Sequence, residues 1–428
     1  MALPSPSLVN PSPTPVATGP APRYTSALSA VTTLFFLWGF ITCLNDILIP
    51  YLKAIFQLSF AQANLINLCF FGAYFFISVP AGMLVARVGY KRGMLLGFAV
   101  AAAGAYLFYP AAEARVYGLF LGALFVLASG ITILQVAANP YVAILGPPAS
   151  ASSRLTLTQA FNSLGTTLAP YVGSALILSH LPTLDNATSA MAIDVKAVQV
   201  PYLVIGTALL LISLLLSRVH LPQVAPATET GLVEPESTAS IWSYRHLVLG
   251  VVGIFAYVGA EVAIGSHIVN YLALPDVLAL GPKAAGDRVL FYWGAAMIGR
   301  FSGAYLLNRF PPGKLLAFNA VGAIVLVLIS INTTGEVATW SLLAVGLMNS
   351  LMFSTIFTLA VAGLGYRTEQ ASGLLCMAIV GGALIPMLFG SIADQSGLRM
   401  ALLLPVLCYL YVLWYGLRGS RRAGAASS

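Results

Sequence analysis

The sequence predicts an all-α integral membrane protein, with twelve transmembrane helices arranged as two six-helix, pseudo-symmetric halves. Three observations carry this. First, 59% of the 428 residues are hydrophobic and 8% charged, with a mean hydropathy of +0.90. Soluble domains average roughly 45–50% apolar and about 25% charged, so there is too little polar surface here for a water-soluble body. Second, apolar runs of about 17–25 residues, the length of a spanning helix, recur along the chain. Alternating ten-residue strands of the outer-membrane barrel type are absent, which makes the spans helical. Third, a basic turn in the first half returns in the second.

The runs fall near 28–51, 61–85, 93–111, 117–144, 155–179, 200–217, 246–272, 287–308, 315–332, 337–362, 370–393 and 398–417. They divide the chain into a half at 27–217, a linker at 218–245 and a half at 246–417. Residues 1–26 form an N-terminal tail, with seven prolines before Tyr24 among Ser, Thr and Ala, a composition that disorder favours. No basic stretch precedes a cleavable apolar segment, so the first span itself serves for insertion. The linker carries Glu229, Glu234 and Glu236 and reads as cytoplasmic, as does the tail at 418–428. Cys43, Cys69, Cys376 and Cys408 all fall inside spans, where they act as small apolar residues rather than a disulfide framework or CxxC metal site.

The net charge of +7 is scattered through short loops, which excludes a nucleic-acid face. With both termini inside, thirteen Lys/Arg lie on the cytoplasmic side and six outside, and Arg300 is within a span. The positive-inside rule therefore predicts cytoplasmic termini in the inner membrane.

The first span, through Leu37-Trp38-Gly39-Phe40, carries Asn45-Asp46 toward its far end. A charge at membrane depth costs about 2.5–3.5 kcal/mol on insertion scales. A carboxylate held there is expected to face a polar cavity, the alternative being a helix end near the interface. After span two comes Gly82-Met83-Leu84-Val85-Ala86-Arg87-Val88-Gly89-Tyr90-Lys91-Arg92. The order Gly, Arg, Lys returns at Gly303, Arg309 and Lys314, 222 residues on from Arg87 to Arg309. A second echo links Leu145-Gly146, Arg154, Pro170 and Gly173-Ser174 to Leu364-Gly365, Arg367, Pro386 and Gly390-Ser391. Two such echoes imply parallel repeats.

Span four holds Gln135 and Asn139, at i and i+4 on one face, with Pro140 loosening the helix beyond them. Span five holds Gln159 and Asn162, three apart. Carboxamides donate and accept, which suits sugar hydroxyls; the alternative is interhelical glue. Span seven holds Glu261, His267 and Asn270. Gly259 and Gly265 flank the carboxylate and suggest a broken helix with exposed backbone groups. On an unbroken helix Glu261 and Asn270 would face opposite ways, and a lone histidine such as His267 is ordinarily a core or interfacial residue. Arg300, in span eight, either pairs with a carboxylate or reaches an interface along its stem.

Two six-span halves with this basic turn resemble the major facilitator superfamily over essentially the whole chain. Ala86 stands where that superfamily often has an acidic residue before the arginine. Asn45-Asp46, Ala137-Ala138-Asn139-Pro140, Gln159-Ala160-Phe161-Asn162-Ser163 and Tyr257-Val258-Gly259-Ala260 are together similar to the fucose–proton symporter family, which includes bacterial glucose/galactose transporters. The resemblance implies uptake of a sugar driven by a cation gradient. In the fucose branch the carboxylates sit at the positions of Asp46 and Gln135. Here position 135 is an amide and Glu261 is gained, a pattern similar to the glucose/galactose branch.

The expected function is thus cation-coupled symport of a hexose. Asp46 and Glu261 are the candidate coupling residues. Asn45, Gln135, Asn139, Gln159, Asn162, His267 and Asn270 are the candidate sugar ligands. The coupling ion is a proton or sodium; a sodium site would form at Asp46 or Glu261 with carbonyls freed near Gly259 or Gly265. No other cofactor is expected, the partners are sugar and bilayer, and the protein is expected to be a monomer. Proton-coupled transport of L-fucose or an N-acetylated amino sugar is the alternative within the class. A sugar sensor would need a signalling domain, and the linker of 28 residues is too short for one. An enzyme is not expected, since the histidines at 180, 220, 246 and 267 form no reactive cluster. An ATP-driven pump would carry GxxxxGK[ST], which is absent.

Overall fold

The computed structural model describes residues 24–56, 60–176, 195–222 and 240–421, with side chains described outside 44–64, 172–198 and Pro282. Most of the expected N-terminal tail, residues 223–239 of the linker and the last seven residues lie outside the described residues. The side chains of Asn45 and Asp46 do as well.

Nine continuous helices come first. They are α1 (Thr25–Phe56), α2 (Phe60–Val88), α3 (Tyr90–Ala114), α4 (Tyr117–Ile144), α5 (Ala151–Leu176), α6 (Val195–Arg218), α7 (Arg245–Leu272), α8 (Pro282–Leu306) and α9 (Pro312–Asn332). Three interrupted helices complete the twelve: α10 (Gly335–Val361), α11 (Gly365–Ser396) and α12 (Leu398–Gly419). The described residues contain no strand.

Over the described residues, ten of these helices are long and apolar enough to cross a membrane. The exceptions are α5, which carries Arg154, Gln159 and Asn162, and α8, which carries Lys283, Asp287, Arg288 and Arg300. Polar groups at membrane depth must face protein or a cavity, and α5 and α8 pack on each other between the halves. Phe161 meets Phe301 there edge-on, with ring centroids 5.6 Å apart. The matching pair is α2 against α11. The second helix of each half thus lies on the fifth helix of the other.

Within the first half, α1 and α5 approach through bare backbone. A Cβ on Gly39 would lie 2.4 Å from the carbonyl oxygen of Asn162, and one on Gly165 would lie 2.3 Å from that of Phe36. Small residues at such crossings let membrane helices pack closely.

The expected break in α7 is corrected by the structure: the helix runs unbroken past Gly259 and Gly265. A Cβ on Gly259 would lie 2.3 Å from Ile385 Cγ1, so this glycine serves packing against α11 rather than unwinding. The interruptions fall instead between Asn349 and Met352 in α10 and at Ala378–Val380 in α11.

Helix direction alternates, so Thr25 and Gly419 share one end of the bundle. At that end four hydrogen bonds tie the halves together. The Ser152 and Thr358 hydroxyls are 2.6 Å apart, and those of Thr156 and Ser354 are 2.5 Å apart. Ser153 donates to the Ala304 carbonyl at 2.6 Å and Ser372 to the Val136 carbonyl at 2.9 Å. All the hydroxyl groups are buried. These four bonds are made by neutral groups, in keeping with Ala86 in the basic turn, and beside them the Glu369 carboxylate of α11 faces the Tyr90 hydroxyl of α3.

Candidate functional site

A cavity of about 200 Å3 lies between the halves, above this seal. From the first half it is lined by Trp38, Gln135, Gln159 and Asn162; from the second it is lined by Glu261 and Arg300, with Tyr257 and Ser350 behind them. Three of the four carboxamides singled out in spans four and five therefore converge, together with one of the two carboxylates.

Two of these amides also hold helices together. Gln135 Nε2 donates to Tyr74 Oη of α2 at 2.5 Å, and Asn162 Nδ2 donates to the Phe35 carbonyl of α1 at 2.9 Å. Interhelical glue and cavity lining are thus one arrangement. With the nitrogens anchored, the amide oxygens are the groups left to accept from a ligand hydroxyl. Gln159 lines the same wall, half-buried.

The opposite wall is charged. Arg300 Nη2 lies 3.8 Å from Glu261 Oε1. Arg300 Nε donates to the Ser350 carbonyl at 3.3 Å, and its Nη1 donates to the Ser163 hydroxyl of α5, across the interface. Behind Glu261 is a buried phenol–amide cluster. Tyr257 Oη donates to the Asn349 carbonyl at 3.1 Å, Asn349 Nδ2 donates to Tyr292 Oη at 2.8 Å, and Tyr292 Oη donates to the Glu261 carbonyl at 3.2 Å. The Asn349 and Ser350 carbonyls are in reach because α10 is interrupted there.

The other candidates are placed elsewhere. Asn139 is fully buried beside Cys376 of α11, outside the cavity lining. It shares a face with Gln135, but four residues carry it about 6 Å deeper, into the closed end. His267 lies six residues beyond Glu261, about 9 Å along the unbroken helix and two-thirds of a turn round it. Its Nδ1 is 2.8 Å from the Ala263 carbonyl and its ring is 4.5 Å from that of Phe389, in a separate cleft with Tyr271 and Leu342. Asn270, half a turn round from Glu261, is exposed. Neither faces the cavity, because α7 does not break.

The same continuity removes the carbonyls near Gly259 and Gly265 that would have completed a sodium site at Glu261. Among the described residues no three His, Cys, Asp or Glu side chains cluster as metal ligands. Arg300 is the site residue that sequence reasoning left undecided, and the Asn349–Ser350 opening is the one it missed. The available signal was a pair of polar residues within the apolar run of α10, without a glycine or proline beside them.

Twelve helices in two halves, crossing by equivalent pairs around one shared cavity, define a membrane transporter. The chain belongs to the Major Facilitator Superfamily, whose family model matches residues 27–378. It is 54% identical over 399 residues to a glucose/galactose transporter of Brucella abortus biovar 1 (strain 9-941), covering 93% of this chain and 95% of that one. It is 35% identical over 408 residues to an L-fucose-proton symporter of Escherichia coli (strain K12), covering 92% and 93% respectively. Among solved structures it resembles the transporter FucP in the outward conformation, with a TM-score of 0.84 at 34% identity over 93% of this chain and 99% of that one.

Proposed function

We propose that this chain is a cation-coupled symporter that takes up a hexose such as glucose or galactose by alternating access. The observation that carries this reading is the cavity between the halves. One wall presents the carboxamides of Gln135, Gln159 and Asn162, and the other presents the Glu261 carboxylate beside Arg300. The name of the Brucella relative supports the hexose. Gln135, where the fucose branch has a carboxylate, supports the glucose/galactose reading over L-fucose.

The coupling residues in this reading are Asp46 and Glu261, which load sodium or a proton. The sealed end of the bundle is cytoplasmic, with both termini, because the basic loops lie there. The protein works as a monomer in the inner membrane, since its pathway runs between the two halves of one chain.

Counterflow in liposomes tests the reading. Labelled glucose is exchanged against a panel of unlabelled sugars, with and without sodium and across pH. Exchange by glucose and galactose is expected. Exchange by L-fucose or N-acetylglucosamine alone would move the substrate, and no exchange by any sugar would overturn the reading.

A further inference from the structure

Arg300 reaches three helices from one side chain. Two of its contacts are hydrogen bonds, to Ser163 of the opposite half and to the Ser350 carbonyl at the opening of α10. The third differs. At 3.8 Å from Nη2, Glu261 Oε1 is beyond hydrogen-bond range, and that oxygen accepts no hydrogen bond at all. The Tyr257 hydroxyl, one turn back on the same helix, is the carboxylate's hydrogen-bonding neighbour, and its charge is balanced through space by a guanidinium whose bonds are made elsewhere. Both residues line the cavity, and because Glu261 Oε1 is itself buried a hydroxyl there meets the guanidinium first. The other titratable groups around Glu261 are phenols: Tyr257 on its own helix, Tyr292 on α8 and Tyr409 on α12. Among the described residues, Arg300 is the one charge that faces it.

We propose that Arg300 is a positioning residue that makes sugar binding and cation binding at Glu261 depend on each other; this rests on the reading of the chain as a coupled sugar symporter. With the cavity empty, the guanidinium occupies the electrostatic role of the coupling cation and repels that cation. A sugar hydroxyl that accepts from Nη2 holds the guanidinium on the Ser350 and Ser163 side. The carboxylate, uncovered, then takes up a sodium ion or a proton. Such a link is reciprocal: the cation strengthens sugar binding by the factor by which sugar strengthens cation binding.

The test is equilibrium binding of labelled glucose to the purified protein, in a sodium series at fixed pH and in a pH series without sodium. The wild type is expected to bind glucose about ten-fold more tightly at saturating cation, a usual size for such coupling. The series that shows this identifies the ion. Arg300→Gln leaves the carboxylate uncovered with or without sugar, so the cation dependence should collapse to less than about two-fold. Arg300→Lys keeps the charge and guards against misfolding. Its compact ammonium lacks the fork that spans three partners, stays on Glu261, and should abolish the dependence by excluding the cation.

A merely structural arginine gives a different result: both variants bind glucose more weakly by the same factor at every cation concentration. Wild-type dependence retained in either variant overturns the proposal while leaving the symporter reading intact. A wild type that binds glucose with no cation dependence overturns the coupling reading and this one together. A wild type that binds no hexose overturns the sugar reading itself.

Discussion

Thr156 on α5 and Ser354 on α10 share a hydrogen bond of 2.5 Å across the two halves, and Ser354 also lines the central cavity. The floor of the binding chamber and the seal beneath it therefore have a residue in common. A net hydrogen bond contributes about 1 kcal/mol. Thr156→Val, which keeps the side-chain shape, should release the seal by about five-fold, and adding Ser152→Ala by up to about thirty-fold. Cys376, fully buried at this end, reports the change. Its alkylation rate, resolved from the other cysteines by mass spectrometry, should rise by those factors. An unchanged rate in the double variant would remove the hydroxyls from the gate.

Gln159 and Asn162 separate binding from packing. Gln159→Ala should weaken hexose binding about five- to a hundred-fold, from about 1–3 kcal/mol for each unpaired polar group, with little loss of thermal stability. Asn162→Ala should weaken binding similarly and also lower the melting temperature, because its amide ties α5 to the Phe35 carbonyl. Binding isotherms and melting curves on the same preparations check both. Unchanged affinity in Gln159→Ala would return that side chain to a packing role.

His267 and Asn270 supply the negative controls that α7 dictates. His267→Phe and Asn270→Ala should leave hexose affinity within about two-fold of wild type, the range of substitutions that touch no special feature. A ten-fold loss in either would mean that the helix unwinds during the transport cycle.

Asp46→Asn and Glu261→Gln should each retain hexose exchange but lose uphill accumulation. One cation crossing inward gains about 2.3 kcal/mol per 100 mV, which corresponds to a gradient of about fifty-fold. Uptake by energised vesicles should therefore level off at equal concentrations inside and out. Full accumulation in one variant assigns coupling to the other residue.

The twelve spans were legible because runs such as Leu34-Phe35-Phe36-Leu37 or Ile324-Val325-Leu326-Val327 leave no face for water, whether a residue packs inside the bundle, as Phe35 and Val327 do, or faces outward, as Val325 does. Gln135, Gln159 and Asn162 stood out for the converse reason: an amide in such a run needs a polar partner. Depth was not legible. Gln135 and Asn139 share a helix face, yet one turn of rise places one in the chamber and the other in the seal. The glycines around Glu261 misled, since a glycine that allows α11 to approach looks the same in sequence as one that frees the backbone. The opening at Asn349–Ser350 depends on tertiary contacts, the Tyr257 hydroxyl and the Arg300 guanidinium, that no local pattern announces.

The low hydropathy of α5 and α8 bears on how the protein is made. Each would leave the translocon reluctantly by itself, since partition into lipid disfavours its amides and charges. Part of their shelter is each other, and they belong to opposite halves. While the ribosome is still building α6 and α7, α5 can already lean on α1 through Gly165 and the Asn162–Phe35 bond, but the face it turns to α8 is still uncovered. Final burial of that face of the first half therefore comes after synthesis of α8. Severed halves should assemble only when co-expressed.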